Sequence, residues 1–474
     1  MSQIKFGTDG WRGIIAEDYT FDNVRICSQG IANYHKTNKL DARPIVVGYD
    51  TRFGSRQFAS AVVEVLVENE IPVVFCDRPT ATPVLSYTVL AHQAAGAIII
   101  TASHNPSQWN GLKYRTENGA SPSPDTLVAI EEEILKVHGS KVKPAVDFHL
   151  ATQSDLVEII DPTTRYLEGI RDAVDVENIK EAGLSVVVDV MHGAGAGYIR
   201  RVLQGGNTKT REIRSRPNPI FPGMVNPEPV AINLGSLSRS IRRANASVGI
   251  ALDGDGDRLG VVDSSGRFIS QLQVFALLAY YFLEIKGSRG AIIKSLTTTS
   301  MVWHFAEKYG VPVYETGVGF KYIAPLMAEH DALLGGEESG GYAFRGHIPE
   351  RDGILSGLCV LDMVARTGRS IQNLIEDVYT ITGSHHYGRK DISLGEEQRP
   401  EIQKRLDLLR PKTIAGHSIV AVDTFDGIKF HLERGFWIMV RLSGTEPLLR
   451  VYAEAESKAD VQQLIKGLEV CLRG

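Results

Sequence analysis

Residues 246–258 read Ala-Ser-Val-Gly-Ile-Ala-Leu-Asp-Gly-Asp-Gly-Asp-Arg, an apolar strand pattern that ends in alternating carboxylates and glycines. Asp253, Asp255 and Asp257 repel one another at this spacing, so a hard divalent cation such as Mg²⁺ is the natural occupant. Oxygen ligands favour Mg²⁺ over Zn²⁺, and the glycines let the backbone wrap closely around an ion. Open α/β sheets place their ligand sites at the ends of such strands. The stretch therefore predicts an α/β fold with a metal site.

An EF-hand calcium loop also begins Asp-x-Asp-x-Asp, but it needs Gly at its sixth position and Glu at its twelfth. Those positions are Arg258 and Ser264 in this chain, which excludes the EF-hand. A solvated acidic turn is disfavoured because the carboxylates directly follow a buried strand. Arg258 is then placed to bind phosphate oxygens.

Apolar runs alternate with longer amphipathic stretches along most of the chain. The predicted strands include residues 44–48, 71–75, 96–101, 184–189, 246–252, 290–294 and 311–314. Continuous apolar runs between helices indicate mainly parallel sheets covered on both faces. The C-terminal part differs, because strands at 437–442 and 448–453 flank a tight turn and a helix follows at 458–472.

The chain has 474 residues, which is too long for a single core. We predict three tandem α/β domains with mixed, mainly parallel sheets, followed by a C-terminal α+β domain. The predicted domain bounds are 1–160, 161–265, 266–383 and 384–474.

The composition excludes several classes of protein. The net charge is −5 and no basic block stands out, which argues against nucleic-acid binding. The sequence has no run of 18 apolar residues and opens without an apolar signal region, so we expect a cytoplasmic protein without a membrane span. The four cysteines, Cys27, Cys76, Cys359 and Cys471, are scattered without a Cys-x-x-Cys pair, so disulfides and zinc binding are poorly supported.

A second motif, Thr-Ala-Ser-His-Asn-Pro at residues 101–106, follows another apolar strand. Ser103 on such a loop can act as a nucleophile or carry a covalent phosphate, with His104 as its base or orienting group. A helix N-cap is an equally good interpretation of this serine when the loop is taken alone. Lys113 lies ten residues further on and can transfer a proton if its pKa is depressed, although an exposed lysine is the default.

Three more polar loops carry candidate binding residues. Residues 336–341, Gly-Glu-Glu-Ser-Gly-Gly, offer Glu337 and Ser339 to sugar hydroxyls, although a plain acidic turn looks the same. Residues 441–447, Arg-Leu-Ser-Gly-Thr-Glu-Pro, combine a guanidinium, two hydroxyls and free backbone N–H groups, which suits a phosphate. An ordinary hairpin turn is the alternative there. The glycine-rich segment Phe-Gly-Thr-Asp-Gly-Trp-Arg-Gly at 6–13 carries Arg12.

The five motifs at residues 6–13, 101–106, 253–258, 335–341 and 441–447 keep one order along the chain. In this order they resemble the α-D-phosphohexomutase superfamily, and the resemblance spans the chain from residue 6 to about residue 452. It implies four domains arranged around a central cleft.

The resemblance also implies roles for particular residues. Ser103 would carry the catalytic phosphate, and Lys113 would be the general acid or base. The implied metal ligands are Ser103, Asp253, Asp255 and Asp257, and the implied catalytic surroundings are Arg12, His104, Lys113 and Arg258. The implied substrate-binding residues are Lys294, Gly317, Glu337 and Ser339 for the sugar, and Arg441, Ser443, Gly444 and Thr445 for the phosphate that does not react.

The reaction implied by the resemblance is a relay between hexose 1-phosphate and hexose 6-phosphate. Phosphoserine gives its phosphoryl group to the free 6-hydroxyl, the 1,6-bisphosphate turns end over end, and its other phosphate returns to the serine. Mg²⁺ is the implied cofactor, glucose 1,6-bisphosphate the activator and a small sugar phosphate the partner of a monomer or dimer. The Gly-Glu-Glu-Ser sequence at 336–339 and residues 318–321 resemble phosphoglucomutases, so glucose is the first choice.

Several alternatives remain open from the sequence. A phosphomannomutase or phosphoglucosamine mutase has the same fold. A serine-dependent sugar phosphatase also pairs a serine with metal-bound carboxylates, although the second phosphate loop favours a mutase. A non-enzymatic sugar-phosphate sensor would be expected to lose the serine or an aspartate, and a kinase is disfavoured by the lack of a Gly-x-x-x-x-Gly-Lys-Ser/Thr loop.

Overall fold

The computed structural model describes residues 4–7, 9–442 and 448–473. Its first sheet has six strands in the order β1-β5-β4-β2-β3-β6. The elements are β1 (Gly10–Ile14), α1 (Phe21–Thr37), β2 (Ile45–Tyr49), α2 (Ser55–Glu68), β3 (Val73–Cys76), α3 (Thr82–Ala91), β4 (Gly96–Ile100), β5 (Trp109–Thr116), α4 (Pro124–Val137), α5 (Phe148–Ala151) and β6 (Val157–Ile160). Strands β4, β2, β3 and β6 pair in parallel, and β5 pairs antiparallel with both β4 and β1. The buried strands β2 and β4 deliver polar loops to the same edge of this sheet.

The second sheet has five strands in the order β11-β10-β9-β7-β8. Its elements are α6 (Thr163–Ala173), α7 (Val176–Glu181), β7 (Ser185–Asp189), α8 (Tyr198–Val202), β8 (Lys209–Ile213), α9 (Gly235–Ala244), β9 (Val248–Leu252), β10 (Leu259–Asp263) and β11 (Phe268–Ile269). Strand β9 is buried at all five positions and pairs with β7 in parallel and with β10 antiparallel. The three-aspartate segment is therefore the connection of a buried hairpin.

The third sheet has four strands in the order β13-β12-β14-β15. Its elements are α10 (Gln271–Tyr280), a π-helical turn (Tyr281–Ile285), β12 (Ile292–Ser295), α11 (Met301–Tyr309), β13 (Val313–Thr316), α12 (Phe320–Glu329), β14 (Leu334–Gly336), β15 (Tyr342–Phe344), α13 (Gly353–Thr367) and α14 (Ile371–Thr382). Strands β13, β12 and β14 are parallel, and β15 turns back antiparallel to β14. The Glu337–Ser339 loop connects these last two strands.

The fourth sheet has six strands in the order β16-β21-β20-β19-β18-β17, all antiparallel. Its elements are β16 (His386–Ser393), α15 (Arg399–Leu408), β17 (Thr413–Ile414), β18 (His417–Asp423), β19 (Ile428–Leu432), β20 (Trp437–Leu442), β21 (Leu448–Ala455) and α16 (Lys458–Arg473). The predicted fold class, with α/β units and mixed sheets followed by a smaller domain built on an antiparallel sheet, is confirmed.

Four predicted strands begin two residues later in the structure than the apolar pattern indicates: β9, β12, and the two whose start a proline explains, β3 and β13. Strand β3 starts at Val73 rather than residue 71, and β13 starts at Val313 rather than residue 311. A proline precedes each starting residue. Because proline has no N–H to donate to a sheet, each ladder begins only after the proline.

The hydrophobic cores show which units pack together. One apolar cluster runs from Ala81, just before α3, to Val378 in α14; most of its residues belong to the second and third units, which it joins, and Ala81 and Val84 come from the first. The first and fourth units have separate principal cores. The β9–β10 and β14–β15 loops therefore rest on one shared core. In the described ranges, no helix combines the length and apolar character needed to cross a membrane.

A buried carboxylate in β21 joins the fourth unit to the third. Glu454 accepts hydrogen bonds from the Thr299 hydroxyl at 2.5 Å, from the Ser300 N–H at 2.8 Å and from the Trp437 indole at 2.8 Å. The His385 ring lies 3.6 Å away. Burial opposes ionisation of Glu454, but the His385 ring and these donors lower its pKa to about 2. The charged form is therefore the one that stabilises this interface.

Replacing Glu454 with Gln should lower stability at neutral pH, because it removes the charge that the donors solvate. A carboxyl with its pKa depressed from 4.5 to about 2 contributes about 3 kcal/mol above its unfolded-state pKa and loses it as the pH falls through its folded-state pKa. The Tm of E454Q should lie below wild type at pH 7, and the gap should narrow between pH 4.5 and 2. Glu456→Gln, an exposed neighbour, is the matched control, and an equal gap at pH 7 and pH 3 would contradict this interpretation.

Candidate active site

The serine loop after β4 holds Ser103 in an unusual backbone conformation. Its φ is +50°, in the left-handed region that side chains other than glycine rarely adopt. Its N–H donates to the Thr101 hydroxyl at 2.9 Å, and that hydroxyl donates to Asp50 at 2.7 Å. The Ser103 hydroxyl donates to Asp253 Oδ2 at 2.9 Å. Strain of this kind, maintained by surrounding bonds, places a functional side chain accurately.

A buried guanidinium that was not among the predicted site residues holds this loop. Arg52, which follows β2, donates to the carbonyl oxygens of Ser103 and Asn105 at 2.6 Å each. It also donates to the carbonyls of Pro106 and Trp109 at 2.9 and 3.0 Å. Its Nε lies 3.2 Å from Asp50. The forked guanidinium thus fixes four backbone carbonyls around the serine, which a lysine could not do.

The three aspartates among the four predicted metal ligands are brought together and are fully buried. Ligand oxygens of Asp253, Asp255 and Asp257 all lie within 4.8 Å of one another. Burial and the two neighbouring carboxylates raise the pKa of Asp253 well above its usual range, so the protein alone does not balance three charges here. Asp255 Oδ1 and Asp257 Oδ1 are buried and have no hydrogen-bond partner among the residues that the structure describes. Unpaired hard oxygen ligands of this kind fit Mg²⁺.

Lys113 joins the carboxylate cluster to the first domain. Its ammonium lies 2.7 Å from Asp255, 3.2 Å from Asp257 and 3.4 Å from Asp9. Burial alone would lower the pKa of Lys113, but these carboxylates raise it above its usual value. The depressed pKa that would make Lys113 a base is therefore absent. The group is protonated and suits proton donation or contact with phosphoryl oxygens.

His104, Arg12 and Arg258 contact the serine, its loop or the neighbouring aspartate. His104 Nδ1 is 3.2 Å from the Ser103 hydroxyl. Burial and the cationic Arg258 and Arg12 hold the pKa of His104 well below its usual value, so the ring is neutral. Arg12 donates to the Asn105 side chain at 2.6 Å. Arg258 Nη1 lies 3.3 Å from Glu228, and its backbone N–H donates to Asp253.

Arg351 connects the metal ligands to the sugar loop, and its role was not predicted. Its guanidinium lies 3.2 Å from Asp257, 3.4 Å from Glu337 and 3.4 Å from Asp9. Asp9, also missing from the predicted residues, has its pKa held well below the usual value by cations around it, although burial opposes this. The arrangement links the first three units through buried ion pairs.

The two predicted sugar-loop residues lie together. The Ser339 hydroxyl donates to Glu337 Oε2 at 3.3 Å. Burial raises the pKa of Glu337 to about 7 although Arg351 opposes the shift. Glu338 instead accepts from the hydroxyls of Thr297 at 2.5 Å and Ser295 at 3.2 Å. The sugar assignment rested on the Gly-Glu-Glu-Ser sequence, and the Glu338 side chain of that sequence is bonded to the end of β12 and to the loop that follows it.

Lys294 and Arg441, two further predicted residues, each lie in an ion pair, and that of Lys294 extends to the fourth unit. Lys294 is fully buried and pairs with Glu315, which also accepts from Lys429 at 2.9 Å. Burial and the nearby Lys294 lower the pKa of Lys429 to about 8. Arg441 contacts Asp426 at 3.1 Å.

Three of the predicted phosphate-binding residues, Ser443, Gly444 and Thr445, lie outside the described residues. Arg441 lines a cavity of about 460 Å³ in the fourth unit. Charged side chains from three other parts of this unit, Arg399, Arg410 and Asp426, line it too. A volume of this size is typical of a small-molecule site.

Models of the phosphoglucomutase/phosphomannomutase family match this chain in four consecutive parts. The α/β/α domain I model matches residues 3–140, the domain II model 164–266, the domain III model 271–381 and the C-terminal domain model 400–468.

Full-length relatives show the same similarity. A protein from Thermococcus kodakarensis named phosphoglucomutase/phosphomannomutase is 31% identical over 476 residues, which cover 99% of both chains. A Sulfurisphaera tokodaii protein named phosphoglucosamine/phosphogalactosamine mutase is 28% identical, again over 99% of both. A crystal structure from Thermus thermophilus, named as a candidate phosphomannomutase, matches with a TM-score of 0.88, 33% identity and full coverage of both chains. The relatives differ in the sugar that their names give.

Replacing Asp255 with Asn should weaken Mg²⁺ binding at least about 100-fold, because a ligand oxygen and its charge are lost. Calorimetric titration of Mg²⁺ into the purified protein measures this directly. Asp172→Asn, on the exposed face of α6, is the matched control and should bind as wild type does. Equal Mg²⁺ affinity in D255N and wild type would show that the cluster is not the metal site.

Replacing Arg52 with Lys should loosen the serine loop without unfolding the chain. A lysine keeps the charge but loses the fork that holds four carbonyls. Amide hydrogen exchange should become at least about 10-fold faster at residues 101–106 and stay unchanged in β2 and β4. Unchanged exchange in the loop would mean that other contacts hold Ser103.

Proposed function

This chain belongs to the phosphoglucomutase/phosphomannomutase family of the α-D-phosphohexomutase superfamily, and on that premise we propose that it interconverts glucose 1-phosphate and glucose 6-phosphate. As a member of this family it is a phosphohexomutase, an isomerase that transfers a phosphoryl group within its substrate. We propose further that a phosphoserine carries the transferred group and that glucose is the preferred sugar.

One observation carries the assignment of the phosphorylated residue. Ser103 is held at φ +50° with its hydroxyl bonded to Asp253 and next to the neutral ring of His104. A serine that served only as a helix cap would bond to backbone N–H groups of a following helix. Here the hydroxyl is directed at a carboxylate cluster, as a phosphate-carrying residue that shares a cation requires.

The proposed metal ion is Mg²⁺, held by Asp253, Asp255 and Asp257 together with the Ser103 oxygen or its phosphate. When bound, it withdraws charge from the transferring phosphoryl group. The remaining charge stabilisation is assigned to Arg12, Arg258 and the protonated Lys113, since positioning and electrostatics supply most of the catalysis in phosphoryl transfer.

The relay consists of two phosphoryl transfers in opposite directions, first from Ser103 to the substrate and then from the bisphosphate back to Ser103. In the first, the P–O bond to Ser103 breaks as the 6-hydroxyl oxygen of the hexose 1-phosphate bonds to phosphorus. Lys113, whose pKa is raised, donates a proton to the departing serine oxygen, and the proton that the attacking 6-hydroxyl loses replaces it on Lys113. The resulting 1,6-bisphosphate turns over, and its 1-phosphate returns to Ser103 by the reverse chemistry. Glucose 1,6-bisphosphate would recharge an enzyme that has lost its phosphate.

The sugar and the phosphate that does not react are assigned to the other two loops. Glu337 and Ser339 would accept and donate hydrogen bonds to the ring hydroxyls, and Lys294 and Gly317 of the third unit are also assigned to the sugar. Arg441 with Ser443, Gly444 and Thr445 would hold the distal phosphate. Both orientations of the bisphosphate then use the same clamp.

The glucose preference rests on the Gly-Glu-Glu-Ser sequence of residues 336–339. Because Glu338 bonds to Ser295 and Thr297, we assign it an indirect effect, through the position of Glu337 and Ser339. A phosphoglucosamine mutase is the second candidate, favoured by the full-length relative whose name gives that sugar.

A turnover assay with three sugars tests the proposal. Purified protein with Mg²⁺ and a trace of glucose 1,6-bisphosphate is given glucose, mannose or glucosamine 1-phosphate, and 6-phosphate product is measured beside free phosphate. Glucose 1-phosphate should give the highest kcat/KM, and EDTA should stop the reaction. Ser103→Ala should lower turnover at least about 10⁴-fold because the covalent intermediate cannot form.

The control variant is Ser107→Ala, in the same loop, which should keep turnover within about twofold of wild type. Preference for another hexose would overturn the glucose assignment and leave the relay. Release of free phosphate without 6-phosphate would instead identify a phosphatase, and near-normal turnover of S103A would remove the serine from the mechanism.

A further inference from the structure

Asp426 makes two contacts that join separate parts of the molecule. It lies in the turn between β18 and β19, and its Oδ1 accepts from Arg441 Nη2 at 3.1 Å and from Arg441 Nε at 3.3 Å. Its Oδ2 accepts from the backbone N–H of Val318 at 2.8 Å. Val318 belongs to the loop after β13 in the third unit. One carboxylate thus holds the arginine of the fourth unit and the backbone of the third.

The surrounding backbone shows that this contact is close. A Cβ placed on Gly317 would lie 3.1 Å from the Phe425 ring and 3.5 Å from Asp426 Oδ2. The turn of the fourth unit therefore packs directly against the loop, with little room for a side chain at residue 317. The contact uses backbone and carboxylate atoms of fixed geometry rather than two flexible side chains.

We infer that Asp426 is a positioning residue that couples the distal-phosphate clamp to the loop after β13, which carries Gly317, in the third domain. The inference rests on the proposed function, since it takes Arg441 as the clamp. Asp426 accepts from Nε and Nη2, which lie on one edge of the Arg441 guanidinium. It therefore fixes the plane of the guanidinium, and Nη1 lies outside the ion pair. By holding Val318, it fixes the distance between the clamp and the loop that carries Gly317.

This coupling suits a substrate that must bind in two orientations. A hexose phosphate reaches the serine productively only when its distal phosphate and its ring are held at one fixed spacing. A carboxylate that bridges both sites sets that spacing before the substrate arrives, which lowers the cost of ordering them on binding.

An anion that merely occupies the clamp until phosphate displaces it would behave differently. Such a carboxylate competes with phosphate, so its removal would tighten phosphate binding. Asp426 is bonded to a second unit through its other oxygen, so displacement would also break the contact with Val318. The two interpretations therefore predict opposite changes in affinity.

The test compares Asp426→Asn, which can still accept from Val318 but loses its charge, with Asp426→Ala, which loses both contacts. Asp423→Asn is the matched control: it ends β18 directly before the same turn, and its oxygen accepts from Phe425 N–H, a bond that Asn retains. The Kd for glucose 1-phosphate and for inorganic phosphate is measured by calorimetry. The KM and kcat for glucose 1-phosphate follow from turnover, and the Tm reports folding.

We expect D426N to raise Kd and KM for glucose 1-phosphate about 10-fold, and D426A to raise them more. D423N should stay within about twofold of wild type. Hydrolysis of the phosphoserine by water does not use the clamp, so its rate, measured by loss of ³²P from labelled protein, should be unchanged in all three variants. A variant that is damaged only in folding would also lose the ability to hydrolyse its phosphoserine.

Unchanged or tighter binding of glucose 1-phosphate or inorganic phosphate in D426N would overturn the coupling. Failure of the proposed function looks different. If wild type binds glucose 1-phosphate more tightly than D426N but produces no 6-phosphate, the coupling stands and the mutase relay falls. If wild type turns over and D426N is indistinguishable from it, the relay stands and the coupling falls.

Discussion

Three buried carboxylates within five residues impose the main physical constraint on this structure. Asp253, Asp255 and Asp257 are each fully buried, and burial of unpaired charge costs several kcal/mol per group. Lys113 and Arg351 offset part of that cost from two other domains. The oxygens left without partners leave room for a divalent cation to offset the rest. The closeness of the first three domains follows from this requirement.

Backbone packing brings the serine to the same point. A Cβ on Gly254, between the first two aspartates, would lie 2.5 Å from the Ser103 carbonyl oxygen, so only glycine permits the two loops to approach. Arg52 donates to that same carbonyl at 2.6 Å. The serine is thus clamped between a guanidinium and a glycine, and its hydroxyl has Asp253 as its partner. Short motifs supply the reactive groups. Single residues that are far away in the sequence hold these groups in place.

Sequence patterns predicted the units, the buried strand β9 and the loops that carry Ser103, the aspartates and Glu337, because strand periodicity and motif chemistry are local. Arg52, Arg351 and Asp426 were not predicted as site residues. Each acts through partners far along the chain, and nothing in the neighbouring sequence marks such contacts. The raised pKa of Lys113 also depends on carboxylates from another domain.

The central claim is that Ser103 and the three aspartates form one cation site with a phosphorylated serine. A crystal of phosphorylated protein soaked in Mn²⁺, with anomalous data collected at the manganese edge, tests it most directly. The account predicts a single strong peak coordinated by Asp253, Asp255, Asp257 and a phosphate oxygen on Ser103. A peak elsewhere, or a phosphate on another residue with Ser103 unmodified, would contradict it.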